Sequence, residues 1–150
     1  MPDLNDIYRE VILDHSKNPR NRRAIPGNCH TADGNNPLCG DRITMYLVLD
    51  GDVIRDLSFE GDGCAISVSS ASMMTEHLKG KTVEEAEEIF GKFHEMLTGD
   101  TESEEIASGI GKLAAFHGVR QFPIRVKCAT LAWHTLRAAL IGSGESVTTE

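Results

Sequence analysis

The chain has 150 residues, 40% hydrophobic and 25% charged, the proportions of a soluble globular protein rather than a disordered tail. At this length folding buries roughly 70% of the surface that the unfolded chain exposes, so disulfide staples are not required. The net charge is −8 and aromatics make up 5%; such a surface repels phosphate and offers few stacking platforms, so neither nucleic acid nor membrane is an expected partner.

The opening residues Met1-Pro2-Asp3 lack the basic region of a signal peptide, and no run approaches the roughly 18 apolar residues of a membrane span. A cytoplasmic location is expected. The four cysteines, Cys29, Cys39, Cys64 and Cys128, then sit in a reducing compartment, where metal binding or thiol chemistry outranks disulfide formation.

Leu4, Ile7, Tyr8, Val11 and Ile12 form one apolar stripe, which predicts a first helix ending before Pro19. Residues 18–42, rich in Asn, Gly, Pro, Asp and Arg, read as a long surface connection or irregular edge strand. Alternation from Ile43 to Leu49 and from Val53 to Phe59, around Asp50-Gly51-Asp52, predicts a β-hairpin with Val53, Leu57 and Phe59 on one face. A glycine-rich turn leads to Cys64 and a helix closed at Gly80. Thr82 and Glu85 form a capping box for a helix carrying Val83, Ala86, Phe90, Phe93 and Leu97 on one side. Residues 98–111 suggest a weak helix, and His117 to Lys127 reads as irregular. A last helix opens at Cys128 and buries Leu131, Ala132, Thr135, Leu136, Ala139 and Leu140. The expected fold class is α+β in a single domain spanning 1–150, with a core over about 4–141 and a frayed C-terminal tail.

Cys39 lies in a turn beside Asp41, while Cys64 and Cys128 are expected at helix starts. A thiol at a helix N-terminus faces the positive end of the dipole and unpaired N–H groups, a setting that favours thiolate. Thiolate is both metal ligand and nucleophile. The set Cys39, Asp41, Cys64 and Cys128 would suit a tetrahedral zinc or an iron–sulfur centre. No C-x-x-C pair is present, so spacing alone also allows three inert, buried thiols packed in the core. Gly40 and Gly63 beside the thiols favour a site, because glycine lets backbone and ligand approach closely.

Three segments carry a resemblance: Asn36-Pro37-Leu38-Cys39-Gly40-Asp41, Gly61-Asp62-Gly63-Cys64-Ala65-Ile66-Ser67 and Arg125-Val126-Lys127-Cys128-Ala129-Thr130-Leu131-Ala132. They resemble the three cysteine motifs of the IscU/NifU-N family of iron–sulfur cluster assembly proteins, and the run from Tyr8 to His15 resembles its first helix. Lys127 stands where IscU proper carries a histidine. Gly118-Val119-Arg120-Gln121-Phe122-Pro123 resembles the insertion of the SufU branch. The resemblance implies a small antiparallel sheet of about three strands, covered on one face by helices.

It also implies a zinc ion held by Cys39, Asp41, Cys64 and Cys128. In SufU-like proteins the first motif cysteine, here Cys39, accepts sulfur from the persulfide of a PLP-dependent, SufS-type cysteine desulfurase. The sulfur then passes to a downstream iron–sulfur scaffold or apo-protein. The alternative is an IscU-like scaffold on which iron or a transient [2Fe–2S] cluster uses the same four residues. Arg125 and Lys127 read either as groups acting on the ligands from outside or as solvated surface residues. Cys29 matches no motif position, nor do His30 and His117. His15, His77, His94 and His134 read as helix residues, Met73 and Met74 as core filling.

Overall fold

The computed structural model describes residues 4–27, 30–37, 40–98, 110–141 and 147–148. In chain order these form α1 (Leu4–Lys17), β1 (His30–Asn36), β2 (Asp41–Asp50), β3 (Val53–Asp62), α2 (Ala65–Leu78), α3 (Val83–Thr98), a 3₁₀ helix (Gly111–Gln121), α4 (Pro123–Ile141) and β4 (Val147–Thr148). Cys29, Cys39 and the weak helix expected over 98–111, apart from its ends, lie outside the described residues.

The expected hairpin is present, with Met45 opposite Phe59 and Leu47 opposite Leu57 on the buried face. A β-bulge corrects the expected face of β3. The pairing steps from Val48↔Asp56 to Leu49↔Ile54, which leaves Arg55 as the extra residue. A one-residue insertion exchanges the two faces of a strand beyond it. Ile54 is therefore fully buried, Val53 only partly, and Arg55 points to solvent.

Of the two expectations for residues 18–42, a surface connection or an irregular edge strand, the strand holds for His30–Asn36: β1 is a regular seven-residue strand, although His-Thr-Ala-Asp-Gly-Asn-Asn has poor strand propensity. It pairs antiparallel with β2 from His30↔Leu47 to Asn36↔Asp41, and parallel with β4 through Gly34↔Val147 and Asn35↔Thr148. The sheet order is β3-β2-β1-β4, so the antiparallel three-stranded sheet gains a short parallel edge from residues expected to fray. The small residues of β1 suit what covers them: a Cβ on Gly34 would lie 2.1 Å from Thr135 Oγ1 and 3.1 Å from Leu131 Cδ1 of α4. Thr135 is fully buried and its hydroxyl donates to Leu131 O at 2.7 Å, so it has little room to move. Gly34→Ala is expected to destabilise the fold by about 1–3 kcal/mol through overpacking, read as a lower denaturant midpoint; an unchanged midpoint would show that α4 can lift off β1.

The described helices lie on one face. α4 crosses β1 and β2, α2 lies over β3, and α1, α3 and the 3₁₀ helix pack on α2 and α4. α2 is polar in composition yet buried, with Ser67, Ser69, Ser70, Ser72 and Thr75 inside. Buried hydroxyls require partners, and those of Ser69, Ser70, Ser72 and Thr75 have them. Ser70 donates to Ala129 O at 2.5 Å and accepts from the fully buried Trp133 Nε1 at 3.2 Å. Ser72 Oγ lies 2.7 Å from Nδ1 of the buried His15 and accepts the Arg20 N–H at 2.8 Å. The middle of α2 is thus held from two sides, by α4 and by the end of α1 with the chain that follows it.

Two helix boundaries matter for the site. The capping box forms as expected, with Glu85 N donating to Thr82 Oγ1 at 3.1 Å and Thr82 N to Glu85 Oε1 at 3.2 Å. α4, however, begins at Pro123 rather than Cys128. Proline ends a helix but also suits its first position, where its missing N–H costs nothing. Arg125 and Lys127 are therefore helical, and Cys128 lies in the second turn. The residues before Pro123 are likewise regular, as a 3₁₀ helix that buries Leu113, Ala114, Phe116 and Val119.

On α4, His134 packs edge-on against Phe90 of α3, with ring centroids 5.3 Å apart, and near His94 at 6.2 Å. Burial, then the His94 and Arg137 charges, hold its pKa below the ordinary 6.5. A depressed histidine pKa gives stability that is present above the unfolded value and lost as pH falls below it. Metal-free protein is expected to lose more stability between about pH 7.5 and 5.5 than a His134→Phe variant; equal losses in denaturant titrations would remove His134 as a cause.

Candidate metal centre

Where the helices meet the end of the β1–β2 pair at which Asn36 stands opposite Asp41, three side chains from three elements converge. Asp41 is the first residue of β2 and is 1% exposed. Its Oδ1 accepts the Cys64 N–H at 2.8 Å, tying the strand to the start of α2. Gly63 makes this approach possible, since a Cβ there would stand 2.8 Å from Asp41 Oδ1. Gly40 works differently: its surroundings are open and its φ is +71°, so conformation rather than space favours glycine.

Cys64 is the N-cap of α2, as the sequence suggests, with φ −69° and ψ 167°. Its Sγ accepts the Ser67 N–H at 3.5 Å, an N–H that the helix leaves unpaired, and lies 3.9 Å from Asp41 Oδ2. Cys128 is 1% exposed. Because it sits inside α4, the helix-terminus argument does not apply to it; burial beneath β1 positions it instead. Asn36 Nδ2, from the end of β1, donates to Cys128 Sγ at 3.7 Å.

One carboxylate oxygen of Asp41 and the sulfurs of Cys64 and Cys128 all lie within 4.8 Å of one another. Ligands of one tetrahedral zinc stand about 3.5–3.8 Å apart, given Zn–S near 2.3 Å and Zn–O near 2.1 Å. A small contraction would bring the three donors onto a single ion. Two sulfurs and one oxygen form a soft, anionic set suited to zinc or iron. Among the described residues no other group of three or more such donors converges. Cys39 lies outside the described residues, two positions before Asp41 in the chain.

The other candidates separate from this cluster. His30 opens β1 at the end opposite Asn36, about 20 Å away along the strand. Arg125 lines a groove of about 760 Å³ together with Cys64 and Cys128, and its guanidinium stands 4.6 Å from the Phe122 ring centroid. His117 lines the same groove, whereas Lys127 does not. Apolar Ile12, Leu13, Ile66 and Ile124 complete the walls, with Leu13 and Ile124 largely exposed. Sequence reasoning missed this groove, because its walls come from α1, α2, the 3₁₀ helix and α4. It also missed Asn36, read as part of an Asn-rich turn although it closes the strand that leads to Cys39. No helix among the described residues is long and apolar enough to cross a membrane.

Comparison with known proteins identifies the family. The chain is 46% identical to the zinc-dependent sulfurtransferase SufU of Bacillus subtilis over 89% of both chains. It is 42% identical to the iron–sulfur cluster assembly scaffold protein IscU of Streptococcus pyogenes, over 91% of this chain and 84% of the relative. The crystal structure of FiSufU from Fervidobacterium islandicum AW-1 superposes with a TM-score of 0.81 at 37% identity, covering 92% of this chain and 99% of that one. The family described as the NifU-like N terminal domain matches residues 7–141, and the chain belongs to that family.

Proposed function

We propose that this protein is a zinc-bound sulfur acceptor of the SufU type, which takes persulfide sulfur from a cysteine desulfurase and passes it on for iron–sulfur cluster assembly. The observation that carries the reading is the convergence of Asp41, Cys64 and Cys128 within 4.8 Å, with Cys39 two positions before Asp41 in the chain. The similarity to a relative named a zinc-dependent sulfurtransferase supports it.

Cys39, Asp41, Cys64 and Cys128 would hold the zinc. The metal would keep these thiols deprotonated and fix the loop before β2. Asp41 and Cys64 form the rigid part of the set, since the Cys64 N–H is bonded to the Asp41 carboxylate. Cys39 is the acceptor. Its thiolate attacks the terminal sulfur of the partner's persulfide; the sulfur–sulfur bond of the partner breaks, its cysteine leaves as thiolate, and Cys39 becomes the persulfide. No external oxidant or reductant is consumed in that exchange. The groove beside Cys64 and Cys128, lined among others by Arg9, His117 and Arg125, offers the partner an apolar approach with cationic points.

The reading is tested by incubating zinc-loaded protein with a SufS-type desulfurase and cysteine, then mapping added sulfur by mass spectrometry. One extra sulfur on the Cys39 peptide is expected. Sulfur confined to other cysteines would overturn the acceptor assignment. The competing scaffold reading, favoured by the likeness to proteins named IscU, predicts instead a stable visible chromophore after anaerobic reconstitution with iron and sulfide.

A further inference from the structure

The two described thiols of the centre draw on different hydrogen-bond donors. Cys64, at a helix start, takes the Ser67 N–H of its own helix. Cys128 lies in the second turn of α4, beyond the first four N–H groups that a helix leaves unpaired. One donor that reaches it comes from another element. Asn36 is fully buried and its Nδ2 donates to Cys128 Sγ at 3.7 Å. Asn36 also stands directly across the β1–β2 ladder from Asp41, on the face covered by α4. The preceding positions on that face of β1 are Ala32 and Gly34, both buried.

We propose, building on the metal-centre reading above, that Asn36 is a positioning residue of that centre. Its amide holds the Cys128 sulfur turned towards Asp41 and Cys64 and offsets part of the sulfur's negative charge. Outer partners of metal ligands orient the ligand and tune the site in this way. Asn36 does not itself bind the metal or the sulfur being transferred.

The test is zinc affinity, measured by competition with a chromophoric chelator, in wild type, Asn36→Leu, Cys128→Ser and the double variant. Leucine keeps the shape of asparagine and removes the donor. Asn36→Leu is expected to weaken zinc binding about 10–100-fold, and to weaken it less than twofold further once Cys128 is already serine. The cobalt-substituted protein should show a shifted sulfur-to-metal charge-transfer band in Asn36→Leu, which a purely structural role would leave in place. Asn36→Ala, which leaves space instead of filling it, should lose affinity equally, so the inference survives a leucine variant that folds poorly. Affinity within twofold of wild type in either folded variant, or the same loss with and without Cys128, would overturn the role of Asn36. Equal affinity in wild type and Cys128→Ser would instead overturn the metal centre, and the role of Asn36 with it.

Discussion

Cys128→Ser is expected to weaken zinc binding by more than about 100-fold and to remove most of the stability that depends on it. The loss in affinity should exceed the roughly 10–100-fold typical of an outer partner, because a ligand itself is removed. A metal bound only to the folded state adds about 2.7 kcal/mol when its free concentration is a hundredfold above Kd. For a domain of this size that is on the order of 5–10 °C in Tm. Wild type should therefore drop by that amount on adding a strong chelator, while Cys128→Ser should barely respond. The comparison with and without chelator matters, since Cys128 is 1% exposed and serine there also carries an ordinary burial cost. Equal chelator responses would place the metal elsewhere.

Cys39→Ser is expected to separate sulfur acceptance from folding. Three donors remain in Asp41, Cys64 and Cys128, and the core beneath them is untouched, so the variant should fold and keep zinc with reduced affinity. Radiolabel from ³⁵S-cysteine, supplied through a cysteine desulfurase, should no longer appear on the protein. Labelling equal to wild type would assign the acceptor role to another thiol. Cys64 and Cys128 are poorly suited to it, as one caps a buried helix and the other lies beneath β1.

Features set by local chemistry were legible in the sequence. The Asp50-Gly51 hairpin, the Thr82–Glu85 capping box and the N-cap position of Cys64 each depend on a few adjacent residues, and each is found where their chemistry points. What was not legible depends on distant contacts. β1 is a strand because β2 pairs with it and because α4 rests on Gly34, not because its own residues favour extension. Val53 yielded the core to Ile54 because of a bulge at Arg55 that no alternation pattern shows. Pro123 begins a helix where it was read as part of an irregular stretch, which moved Cys128 into the second turn. That Asp41, Cys64 and Cys128 come together was recognisable from their motifs. Asn36 was not, since its importance comes from a contact across 92 residues of chain.

The most direct test of the account is the rate of alanine formation by a SufS-type cysteine desulfurase, with a reductant, in the presence of catalytic amounts of the zinc-loaded protein. A large acceleration that disappears with Cys39→Ser is the predicted result, and it would mean that sulfur turns over on this chain. No acceleration with a cognate desulfurase would contradict the account and favour the cluster scaffold.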